Sequence, residues 1–154
     1  MEKKTICIDF DGVIHDYSNG FQGEDVFGGM IPNANIGTSV LKEKGWTIII
    51  FTTRKKTEKL KKWLEDNKIA YDYINENPEQ PERTSGKVIA DVYLDDRGIC
   101  FNGRWDQWLI REIADFEPWQ KRQQKEMEQL SNFREPEDSI WDRGCERRIK
   151  ASSL

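Results

Sequence analysis

Cysteine is scarce, long apolar runs are missing, and neither sign of charge prevails. The three cysteines, Cys7, Cys100 and Cys145, are odd in number and show no CxxC spacing. That excludes a disulfide framework or a cysteine-built zinc site, and fits a reduced cytoplasmic setting with Cys7 and Cys100 as small core residues. No run is long enough to cross a bilayer, and no charged start leads into an apolar leader, so neither a membrane protein nor a secreted one is expected. Lys and Arg total 24 against 28 Asp and Glu, a formal net charge of -4, which gives no global attraction to nucleic acid or to anionic lipid. What is present is a soluble chain of one-domain size, well supplied with Ile, Val, Leu and aromatics.

Along the chain, apolar runs alternate with amphipathic ones. "TICIDF" at 5–10 is a β-branched run that reads as a buried strand. Residues 12–32 carry five glycines and Pro32, which marks a long flap. Asn33 or Asn35 is placed to cap a helix that runs to about Lys44 and stops at Gly45. "WTIIIF" (46–51) is a second buried strand, followed by a helix at 57–68 with Leu60, Trp63 and Leu64 on one face and Thr57 as its cap. "IAYDYI" (69–74) and "VIADVYL" (88–94) read as further strands, with a polar, proline-bearing connection between them. "ICF" adds an edge strand, and "RWDQWLIREIADF" a helix in which Trp105 and Trp108, with Trp119 beyond, serve packing.

This order predicts an α/β fold, a Rossmann-like parallel sheet with helices on both faces, over residues 1–115. Residues 116–154 form a polar extension, with a helix that has Pro118 in its first turn. The extension packs over the site, mediates a homodimer or stays free.

Open α/β sheets bind ligands beyond the carboxyl ends of their strands. Asp9 and Asp11, Thr52 to Arg54, and Asp95 and Asp96 should therefore share one edge. Several carboxylates at one point raise each other's pKa, and a hard cation such as Mg2+ removes that conflict. One carboxylate can then attack phosphorus, and a second, two residues on, can protonate the leaving oxygen and activate water. Thr52 offers a hydroxyl to a phosphate oxygen, and Lys87 can neutralise charge on nucleophile and phosphoryl group. Thr53, Arg54 and His15, the only histidine, are candidate substrate contacts.

The same stretches, in the same order, resemble the haloacid dehalogenase superfamily. "DFDGVIH" is similar to its first motif, "IIIFTTR" to its second, Lys87 to its third and "YLDDR" to its acidic fourth, a match spread over residues 5–97. "DDRGICFNGRW" further resembles small capless members found in bacteria and phages. The resemblance implies Asp9 as a nucleophile that becomes an aspartyl-phosphate, and Asp11 as general acid and base. It implies Mg2+ held by Asp9, the backbone carbonyl of Asp11, and either Asp95 or Asp96. An aspartate at position 11 is what the phosphatase branches carry, whereas dehalogenases and transport ATPases do not. Too few residues separate the first two motifs for a large cap domain, so the flap with Phe21 and Phe27 is left to close the site.

The resulting expectation is a Mg2+-dependent phosphomonoester hydrolase acting on nucleotides or another small phosphorylated metabolite. A phosphatase of polynucleotide ends is the rival enzyme reading; the missing basic stripe argues against it, while Arg143, Arg147 and Arg148 keep it open. A non-catalytic phosphate-binding scaffold is the other alternative, though a binder has no need of both nucleophile and acid.

Overall fold

A computed structural model of the chain describes residues 4–84, 86–101 and 103–132. Its elements run β1 (Thr5–Asp9), α1 (Ala34–Glu43), β2 (Thr47–Phe51), α2 (Glu58–Asp66), β3 (Tyr73–Ile74), β4 (Val92–Leu94), α3 (Gln107–Ala114) and α4 (Trp119–Asn132). The four strands form one sheet in the order β3-β2-β1-β4, and every pairing is parallel.

The pleat of β1 and β2 sends alternate residues to opposite faces. Ile6, Ile8, Ile48 and Ile50 point to one face, where Leu60 and Leu64 of α2 and Leu41 of α1 close the main core. Both helices lie on this side because β1, β2 and β3 are successive neighbours joined by crossovers of one hand. The chain then doubles back past β1 to reach β4, which carries that connection over the other face. There Cys7 and Ile49 pack against Val88, with Phe51, Tyr73 and Ala90 at the margin. The expected α/β parallel sheet with helices is what the chain forms; α1 and α2 share the larger core, and the segment around Val88 packs on the opposite face.

Local chemistry sets the boundaries. Thr57 caps α2, its hydroxyl accepting from Leu60 N at 3.1 Å. Asp106 caps α3 by accepting from the backbone N–H groups of Trp108 and Leu109. Gly45, at φ 83°, follows α1 as expected, but Asn33 precedes it with a left-handed backbone and no side-chain cap. Several sequence expectations need correction. The runs at 69–74 and 88–94 yield strands of only two and three residues. Residues 99–101 form no strand, so the edge of the sheet is β4 itself. Cys100 is exposed rather than buried, and Trp105 and Trp108 are 76% and 68% exposed rather than packed.

The chain divides into units Met1–Lys121 and Arg122–Leu154. The boundary falls beyond the expected 115 because Trp119 Nε1 donates to the Gly12 carbonyl at 2.8 Å and Gln120 Nε2 to Asp16 at 2.8 Å. Of the second unit only the body of α4 is described, and Cys145 with Arg143, Arg147 and Arg148 lies outside the described residues.

Asn75 extends the sheet past its last strand. It has φ 57°, and its side-chain amide accepts from Thr52 N and donates to Thr52 O, both at 2.7 Å. Asn75→Ala should lower the unfolding free energy by about 1–3 kcal/mol, since two bonds are lost and alanine resists a left-handed backbone. An unchanged midpoint in urea denaturation would show that this amide does not hold the end of β2.

Candidate functional site

Register brings the acids together. Ile8 pairs with Leu94, so the next step of the two strands sets Asp95 beside Asp9. Oxygen atoms of Asp9, Asp95 and Asp96 lie within 4.8 Å of one another. Asp96 is the deeply set member: its side chain is 3% exposed, and its Oδ1 is buried with no hydrogen-bond partner. The turn after β1 is shaped around it. Gly12 has φ 95°, and a Cβ there would lie 2.5 Å from Asp96 Oδ2, so only glycine fits.

The three carboxylates of this group have one guanidinium, that of Arg97, beside them. Burial, and then the neighbouring Asp95, Asp96 and Asp11 carboxylates, push the Asp9 carboxyl up to about 7, although Phe10 N–H donates to Asp9 Oδ1 at 2.8 Å and opposes the rise. Burial likewise raises Asp96, with Arg97 opposing from 3.8 Å. Among the described residues no cation is bonded to Asp9. Buried carboxylates without a partner are costly, and a hard divalent cation is the partner that an all-oxygen donor set suits. The orphaned oxygen of Asp96 fits such an ion better than the exposed Asp95, whose Oδ1 already accepts from Arg97 N.

Asp11 has opposite surroundings. Its Oδ2 accepts from Arg54 Nε and its Oδ1 pairs with His15 Nδ1, both at 2.8 Å. Burial pushes this carboxyl up, but the hydrogen bonds from His15 and Arg54 outweigh it and hold it below the usual carboxylate range. Its side chain is therefore not part of the three-aspartate group.

His15 and Arg54 are buried, at 3% and 6% exposure. The His15 ring stacks on Phe10 with centroids 5.1 Å apart, and both its nitrogens are engaged, so the substrate contact expected of it is not available in this arrangement. Thr53 is exposed. The Thr52 hydroxyl accepts from Arg54 N at 3.1 Å. Lys87 and Asp9 line one cavity of about 480 Å³, with Cys7, Phe51, Tyr93 and Asp95 among its other walls. The Lys87 ammonium stands 5.0 Å from the Tyr93 ring centroid. Thr52 lies outside that lining. Phe27 packs on Phe10, His15 and Trp63 at the core margin, whereas Phe21 is exposed. The expected pair of flap contacts is thus split between a packing residue and an exposed one.

Sequence reading missed two things. Asn75 falls where the sequence shows only a polar connection, and its left-handed asparagine backbone leaves little mark in a sequence. The pairing of Arg54 with Asp11 joins residues 43 positions apart, and neither periodicity nor motif spacing reports such a contact.

No family model matches the chain, and no curated protein does. Among solved structures, a conserved protein from Bacteroides thetaiotaomicron matches at a TM-score of 0.52 and 26% identity, over 73% of this chain and 90% of that one. The α/β fold is therefore shared with a solved structure.

Linkage gives a test of the acidic group that needs no substrate. The ordinary carboxyl value is 3.8 and the folded value of Asp9 is about 7, so the unfolded chain loses its proton first as pH rises. Metal-free stability should then fall between about pH 4 and pH 7 and level off above. Asp11, shifted downward, acts below that window. Mg2+ binds ionised carboxylates, so it should raise Tm at about pH 8 and have little effect near pH 5. Tm indifferent to Mg2+ at both values would remove the metal site.

Proposed function

We propose that this chain is a Mg2+-dependent phosphomonoester hydrolase of the haloacid dehalogenase type, with Asp9 as nucleophile. The observation that carries the reading is the gathering of Asp9, Asp95 and Asp96 at one strand edge, with a buried oxygen on Asp96 that has no hydrogen bond and only the Arg97 guanidinium at 3.8 Å. Asp9 and Asp96 would hold the ion, with Asp95 at its open side and the Asp11 main-chain carbonyl in reach of the same turn. The ion's contribution is to neutralise carboxylate and phosphoryl charge so that an anion can approach an anion.

The chain's own groups supply the rest. Phe10 N–H fixes Asp9 Oδ1 and leaves Oδ2 to form a bond to phosphorus while the ester P–O bond breaks. The departing alkoxide takes its proton through Asp11, which rests as a carboxylate under the hydrogen bonds of Arg54 and His15 and must first take up a proton from solvent. Asp11, now a carboxylate, removes a proton from water, the hydroxide bonds to phosphorus, and the bond from phosphorus to Asp9 breaks to release inorganic phosphate. Lys87, on the wall shared with Asp9, offers positive charge to the transferring group. Thr52, its hydroxyl already accepting from Arg54 N, still has a proton to donate to a phosphate oxygen. The partner is a small phosphorylated molecule, since the cavity beside Asp9 has a single cationic residue and not a basic stripe.

Activity should appear on a panel of phosphorylated metabolites and nucleotides with Mg2+, and vanish on exhaustive chelation. Asp9→Asn should abolish turnover, because an amide is a very poor nucleophile. Asp11→Asn should keep the Mg2+-dependent rise in Tm and lose about 100- to 10,000-fold in kcat, the usual worth of a positioned acid and base. Wild-type turnover by Asp9→Asn would refute the nucleophile assignment.

A further inference from the structure

Arg54 and His15 surround Asp11 and also reach into the flap. The guanidinium is 3% exposed; while Nε donates to Asp11, NH1 donates to the carbonyls of Gly23, Glu24 and Val26 at 3.0–3.3 Å. Its carbon lies 5.1 Å from the centroid of Phe27, 5.5 Å from Phe21 and 5.8 Å from Phe10, so aromatic faces from both flap and strand end enclose it. His15 makes the second tie. Gly28 N donates to His15 Nε2 at 2.6 Å, which requires that nitrogen to be without a proton and leaves Nδ1–H to donate to Asp11 Oδ1. Gly28 is held from its other side as well, its carbonyl accepting from Trp63 Nε1 at 3.2 Å.

We infer that Arg54 and His15 are positioning residues that fix the orientation of the Asp11 carboxylate and couple it to the conformation of the flap. Each side chain spends one nitrogen on Asp11 and another on backbone between Gly23 and Gly28, so displacing either end disturbs the other. A planar guanidinium can do this because its donors form a rigid fork, which a lysine ammonium does not reproduce. The consequence for catalysis rests on the reading of Asp11 as acid and base: the flap would report on, and set, the aim of that group. The geometry of the coupling stands without it.

Amide hydrogen exchange on the full chain tests the coupling independently of activity. Asp11→Asn and Arg54→Lys should each speed exchange across residues 23–28 by about tenfold or more, and the double variant should be no faster than the faster single, because both break one strap. Asp9→Asn, which lies outside the strap, should leave that segment at the wild-type rate. Wild-type flap exchange in Asp11→Asn, or additive effects in the double variant, would overturn the inference; should Arg54→Lys fail to fold, Asp11→Asn alone decides. With a turned-over phosphomonoester, Arg54→Lys should lower kcat and leave KM within about twofold, whereas a raised KM with intact kcat would make Arg54 a substrate contact and overturn its positioning role. A wild-type chain inert to every phosphomonoester sinks the hydrolase reading, while the exchange pattern still decides the coupling.

Discussion

Asp9 and Asp11 leave β1 two residues apart and end in opposite electrostatic surroundings. Asp9 shares its space with Asp95 and Asp96 and has no cationic partner among the described residues. Asp11 has a buried guanidinium and an imidazole on its two oxygens. The left-handed turn at Gly12 makes the division possible, because the missing side chain lets Asp96 come against the backbone between the two groups. Were both carboxylates compensated in the same way, neither would differ in acidity from the other. Their surroundings push them apart, one up and one down.

The polar interior of the flap follows from the same division. A loop of this length would ordinarily stay at the surface, because buried backbone carbonyls need donors. The two hydrogens of Arg54 NH1 are shared among three of these carbonyls, and Trp63 supplies a donor to another. His15 Nε2 serves the Gly28 N–H, and main-chain bonds from Asp16 N to Gly29 O and from Ile31 N to Ile14 O tie the flap ends together. Phe10, His15, Phe27 and Trp63 then form one aromatic cluster that roots the flap in the main core. A glycine-rich segment is thereby held by a few specific ties, and not by its own regular structure.

What could be read from sequence was whatever depends on local pattern. The strands β1 and β2, the capped helix α2 and the convergence of acids at strand ends all follow from apolar runs and from the geometry of parallel sheets. Contacts between distant segments could not be read in this way. Arg54 reads from sequence as a candidate substrate contact beside Thr52, because no spacing rule says that position 54 meets position 11. Trp105 and Trp108 looked like packing residues, since exposure of large aromatics runs against the average behaviour of the residue type. The strand β4 came out shorter because it is a sheet edge with a partner on one side only, so β-branched content beyond Val92 and Leu94 has no ladder to join.

The thin second face connects fold to site. Two crossovers of one hand put α1 and α2 on the same side of the sheet, and the return to β4 covers the opposite side with a loop in which Val88 is the buried anchor. A helix on that return would lay a full stripe of side chains over Cys7, Ile49 and Phe51. The loop instead buries Cys7 and Ile49 through Val88 and leaves a cavity lined by Cys7, Phe51, Tyr93 and Asp9. The same loop carries Lys87, one residue before its buried anchor, so the residue that secures the loop also fixes where the ammonium enters the cavity wall. Space beside the carboxylate and positive charge at its rim thus have one cause, the replacement of a covering helix by an anchored loop.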